Sequence, residues 1–260
     1  MLRQLTLAVT FLTGIPLPVE GDVRPADLWR SMGWYPLVGL ALGAAAWGLY
    51  AGLLELLPPL VAAVLVVLAL EAVTRGLHMD GLMDTADGVF SGAPRERALE
   101  IMKDSNVGAM GVVAAVLILF LKVAALGALA RADAAVPLLA GWCAARSLPA
   151  LDVYAWPYAR AAGTGEAFTR ERTSGPVVTS AGFLAAGIVV AGLVGLAVDA
   201  AGTWYAGLLV AAVAMAVALL VQAAVAKRLG GLTGDVYGLG IELVEATALV
   251  GGCAIVRLAG

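Results

Sequence analysis

The sequence predicts an all-α fold: a polytopic membrane helix bundle of about seven transmembrane helices plus an N-terminal interfacial or re-entrant helix. Three observations lead there. The 260 residues are 62% hydrophobic and 13% charged, whereas soluble domains are about 45–50% apolar and about 25% charged. Long apolar runs recur along the whole chain with no stretch of soluble-domain composition between them. Lys and Arg collect in alternate connections, the bias that orients membrane helices.

The first apolar run, Leu5 to Leu17, is shorter than the ~20 residues a span needs. It lacks a small-x-small cleavage site, and Pro16 and Pro18 close it, so it reads as a helix retained in the mature protein. The expected spans are 33–57, 60–75, 107–130, 135–152, 176–198, 203–226 and 236–257. The second is short, and its helix is expected to continue through the polar motif that follows. Pro58-Pro59 leaves only a tight turn between the first two spans. The longest polar connections, 76–106 and 153–175, hold no domain, so residues 1–260 form a single integral membrane domain. No internal repeat is visible, which weighs against an inverted-repeat transporter.

Charge orients the bundle. The N-terminal segment carries Arg3, Arg24 and Arg30, and the next basic connection carries Arg75, Arg95, Arg97 and Lys103. Two more carry Arg160, Arg170 and Arg172, then Lys227 and Arg228. With seven spans these regions share one face, and the opposite connections hold only Arg131 beside Asp133 and Asp199. The charged loops are therefore expected in the cytosol of a prokaryote, at its cytoplasmic (inner) membrane. There is no basic tail or stripe, which excludes nucleic acid as a partner. Cys143 and Cys253 lie in apolar runs and read as core residues.

The chemistry is concentrated in three polar elements. The first is GLHMDGLMDTADG, residues 76–88. Asp80, Asp84 and Asp87 fall at i, i+4 and i+7, one stripe of a helix. Like charges so placed repel unless a cation neutralises them. Gly81 and Gly88 clear space beside the stripe. All-oxygen ligation suits Mg²⁺ or Mn²⁺, and Mg²⁺ commonly takes one or two carboxylates plus substrate phosphates. The alternatives are a solvated acidic helix or a transported cation. His78 stays open between ligand, base, phosphate donor and ordinary interfacial histidine; its spacing puts it off the stripe.

The second element is SGAPRERALEIMKDSNVGAMG, with a helix expected to start at Ser91. Lys103 and Ser105 are candidate phosphate contacts, and Asp104 is a candidate metal ligand. Arg95, Glu96 and Arg97 fit an amphipathic surface helix. The third is LGGLTGDVYGLGIELVEA, whose glycine-rich turn, with Thr233 and Gly234, opens a helix and favours phosphate. Asp235 is expected as N-cap and metal ligand. Glu242 and Glu245 lie within the last span, where acids are functional candidates by default. The other reading buries them against a cation such as Arg146. Arg160 opens a Gly163–Gly165 loop able to close on a phosphate. Glu71 and Arg75 are spaced to pair, and Lys122 is expected to snorkel.

These stretches, with FLTGIPLP at the start and PYAR before the GTG loop, resemble cobalamin synthase, the adenosylcobinamide-GDP ribazoletransferase family, in order and over nearly the whole chain. The DGxxDxxDG piece alone also resembles the acidic motif of CDP-alcohol phosphatidyltransferases, which remains the runner-up; a cation-coupled transporter is the rival from another class. The resemblance implies a Mg²⁺-dependent reaction of adenosylcobinamide-GDP with α-ribazole or its 5′-phosphate. A ribose hydroxyl attacks the phosphorus next to cobinamide, giving adenosylcobalamin or its 5′-phosphate, and GMP leaves. On that reading Asp80, Asp84, Asp87, Asp104 and Asp235 serve the metal. Lys103, Ser105, Arg160, Thr233, Gly234 and Arg146 serve the substrates. Glu242, Glu245 or Asp87 takes the proton. The partners are the two substrates, the lipid bilayer and a second copy in a homo-oligomer.

Overall fold

The computed structural model describes residues 1–19, 21–160, 172–200 and 203–259. Among them the chain forms eleven helices. These are α1 (Leu2–Leu12), α2 (Pro25–Met32), α3 (Tyr35–Leu53), α4 (Pro59–Thr74), α5 (Leu77–Phe90) and α6 (Arg95–Ile101). They continue as α7 (Ala109–Ala128), α8 (Ala135–Ala155), α9 (Gly175–Ala197), α10 (Thr203–Leu229) and α11 (Gly234–Ala259). The all-helical expectation holds; the described residues add one isolated parallel bridge, Tyr158 to Leu232.

The architecture is that of a multi-pass membrane protein. Helices α3, α7, α9, α10 and α11 are long and apolar enough to cross a bilayer, and α4 with α5 makes a sixth candidate if that bent pair is one span. This is fewer than the expected seven. The difference lies in α8, the expected fourth span: Arg146 and Asp152 lower its hydropathy, and it is buried at the centre of the bundle against α3, α9, α10 and α11. Large apolar side chains such as Leu68, Leu117, Phe120, Leu193 and Leu220 instead face outward. Charged and polar groups gather inside, an arrangement suited to lipid.

One break decides where the site lies. The helix of the second span does not run on through the acidic motif. Arg75 and Gly76 both take left-handed backbone, with φ of 56° and 63°, and α5 leaves α4 at 89°. A residue with a Cβ rarely accepts that conformation. The turn carries α5 off the line of the span and lays it against α11 and α7.

Candidate active site

Close helix contact assembles the site. A Cβ on Gly81 would meet the Asp235 carbonyl at 2.7 Å and its Cα at 2.9 Å, and one on Gly238 would meet the His78 carbonyl at 2.8 Å. Glycine on both sides therefore lets α5 and α11 touch backbone to backbone. The contact sets Asp235, in the first turn of α11, beside the α5 stripe. Thr233 rather than Asp235 caps that helix, accepting the Val236 N–H at 3.4 Å. This frees the Asp235 carboxylate to bind Arg160 at 2.7 Å.

Arg160 arrives by a backbone route. The Leu232 amide donates to the Pro157 carbonyl at 3.0 Å, and the Ala159 amide donates to the Leu232 carbonyl at 2.9 Å. Arg160 then also donates to the Met102 carbonyl at 3.1 Å. Arg95 secures the same junction, donating to the Leu229 carbonyl at 2.7 Å and the Ala159 carbonyl at 3.0 Å. The amphipathic pattern of RERALEI predicts a surface role for Arg95; its carbonyl partners lie far off in sequence, where no local signal reaches. Ser91 closes α5, its hydroxyl donating to the Gly88 carbonyl at 2.7 Å, so α6 starts later than expected.

Asp80, Asp84 and Asp235 form one electrostatic unit. Partial burial pushes the Asp84 carboxyl up to about 7, reinforced by Asp80 and Asp235 and opposed by Arg160, with Asp87 adding a smaller push. The three nearest carboxylates bring three formal negative charges against one from Arg160, a deficit that a divalent cation balances. No three acidic, His or Cys side chains among the described residues converge tightly enough to form a metal cage. An open set of one or two carboxylates per ion is what Mg²⁺ usually accepts, with phosphate oxygens and water completing it. The donor chemistry therefore fits.

The other sequence candidates part company here. Asp87 spends both oxygens at the start of α7, accepting the Gly108 amide at 2.7 Å and the Gly111 amide at 2.8 Å. It acts as that helix's cap. Lys103, Asp104 and Ser105 are exposed on the loop after α6. Asp104 accepts the Asn106 amide and side chain at 3.0 and 2.7 Å, which holds its carboxyl below the usual value. Gly234 is exposed and Thr233 is buried. Gly163 and Gly165 lie outside the described residues.

Glu242 and Glu245 sit deeper, in a buried ion cluster. Lys122 does not snorkel: only 2% exposed, it binds both glutamates at 2.6 Å and Glu71 at 3.5 Å. Glu71 thus turns to Lys122 rather than to Arg75. Arg146, also buried, hydrogen-bonds Glu245 and is not placed to meet a phosphate. The reading in which these acids are buried against cations describes them.

A family model for cobalamin-5-phosphate synthase matches residues 4–253. The chain belongs to the cobalamin-5-phosphate synthase family. Among its relatives is the adenosylcobinamide-GDP ribazoletransferase of Brevibacillus brevis, 42% identical over 250 residues, covering 94% of both chains. That of Desulfitobacterium hafniense is 43% identical over 254 residues, covering 96% of both. No solved structure matches the chain. In this family member, the DGLMD and GGLTGD stretches are the two that meet at the α5–α11 contact.

Proposed function

We propose that the chain is an adenosylcobinamide-GDP ribazoletransferase, joining adenosylcobinamide-GDP with α-ribazole or its 5′-phosphate. The products are adenosylcobalamin or its 5′-phosphate, and GMP. The observation that carries this reading is the juxtaposition of Asp80, Asp84 and Asp235 with Arg160, a charge pattern suited to a diphosphate and a divalent cation. The names of the relatives support it. The loop charges support a site facing the cytosol at the inner membrane, where a soluble nucleoside can enter.

Asp80, Asp84 and Asp235 would be available to supply one or two carboxylates per ion to Mg²⁺, or Mn²⁺, which when bound supplies neutralising charge for the diphosphate. Arg160 adds a guanidinium able to grip phosphate oxygens. Its Asp235 and Met102 contacts fix where that charge stands before substrate arrives. Arg95 and the Thr233 cap hold the turn from which Asp235 projects. The ion cluster of Glu242, Glu245, Lys122 and Arg146 ties α7, α8 and α11 together beneath the site. Its acids already have cation partners, which supports a structural role for them.

The test is purified protein in lipid with Mg²⁺ and both substrates. GMP release that requires α-ribazole supports the proposal. Uptake of the corrinoid into sealed vesicles without GMP release contradicts it.

A further inference from the structure

A cavity of about 210 Å³ opens beside the aspartates, lined in part by Asp80, Asp235, His78, Phe11, Tyr35 and Tyr237. It is smaller than the ~300–1,000 Å³ of pockets that take whole drug-sized ligands, so it takes one part of a substrate. Its walls are mostly apolar and aromatic: Phe11 and Tyr35 stack with centroids 5.9 Å apart, and Tyr237 faces in from α11. His78 is 4% exposed, and its Nδ1 has no hydrogen-bond partner among the described residues. Buried polar atoms are nearly always partnered, and an unpartnered imidazole on a cavity-lining residue calls for a partner that the described residues do not supply.

Resting on the proposed reaction, we infer that this cavity takes the aromatic base of the incoming nucleoside, with the His78 imidazole donating a hydrogen bond to the ring nitrogen not joined to ribose. The shape and chemistry select among the substrate parts. A corrin ring exceeds the space. Guanine needs several polar partners along its edge, whereas the unpartnered buried polar atoms on the lining residues are those of His78 and Tyr35. The base of α-ribazole is planar, largely apolar, and carries one free ring nitrogen. Seated there, it leaves its ribose toward Asp80 and Asp235, where the attacking hydroxyl is needed. His78 is thus a specificity-determining residue, and it lies off the metal stripe because it faces the nucleoside.

The experiment compares α-ribazole with its indole analogue, in which that nitrogen is a C–H, in wild-type protein and in His78→Phe and His78→Asn. Binding of each nucleoside alone is measured by calorimetry, and GMP release is measured with Mg²⁺ and adenosylcobinamide-GDP. A site built to pair with a nitrogen rejects the analogue lacking it. Wild type should prefer α-ribazole by about tenfold or more, chiefly in KM. His78→Phe should bring the ratio close to one, and His78→Asn, which keeps a side-chain N–H donor, should restore part of it. Equal treatment of the two nucleosides by wild type overturns the inference, even if His78→Phe fails to fold; so does an undiminished preference in a folded His78→Phe. If both nucleosides bind with the expected preference but no GMP appears, the reaction assignment fails and the base pocket stands.

Discussion

Replacing Lys122 with Met should unfold the bundle more readily than any single change at the aspartates. The Lys122 ammonium touches two carboxylates at 2.6 Å. At an effective dielectric of ~20, each contact represents roughly 6 kcal/mol of gross attraction. Keeping each of the three ions out of water costs several kcal/mol, so the net gain is far smaller than the gross attraction, while removing one partner leaves the others uncompensated. Loss of Lys122 leaves Glu71, Glu242 and Glu245 facing Arg146 alone within the cluster. Breaking a buried pair from one side typically costs about 3–5 kcal/mol. For a protein of this size that corresponds to a fall of roughly 6–20 °C in Tm, read by thermal unfolding in a fixed detergent. Lys122→Met with Glu242→Gln removes one charge of each sign and should recover most of the loss. A single variant within about 1 kcal/mol of wild type, a shift of roughly 2–4 °C, would refute the buried cluster. Activity in a stable double variant would also show that Glu242 takes no proton.

Three further outcomes follow from the same geometry. Gly81→Ala should push α5 off α11, destabilise by about 1–3 kcal/mol and reduce GMP release even at saturating Mg²⁺, measured together with the melting midpoint. Asp87→Asn should cost about 0.5–2 kcal/mol through the weakened α7 cap, while the Mg²⁺ concentration for half-maximal activity stays unchanged; a large rise in it would return Asp87 to the metal. Asp104→Asn should change the Mg²⁺ requirement by less than about twofold, because its carboxylate is engaged with Asn106 on an exposed loop where interactions are weak.

The sequence and the structure agree where the signal is local. The Asp80–Asp84 stripe reads directly from i, i+4 spacing, and α5 is a helix over that stretch. The glycine-rich turn before Asp235 announced a helix start. The departures involve partners remote in sequence. Lys122 and Glu242 are separated by 120 positions, and nothing near either names the other. Asp87 shares the spacing of its neighbours, yet the amides of Gly108 and Gly111 take it. The left-handed turn at Arg75 was illegible because arginine gives no turn signal. His78 was undecided from spacing; burial, an orphan nitrogen and a cavity give it a role.

The metal dependence of GMP release in Asp84→Asn, assayed with adenosylcobinamide-GDP and α-ribazole across a Mg²⁺ titration, tests the site most directly. The proposed site predicts a loss of about 10²–10³ in rate, a shifted Mg²⁺ requirement and an unchanged melting midpoint without metal. Full activity with the wild-type Mg²⁺ curve would contradict it.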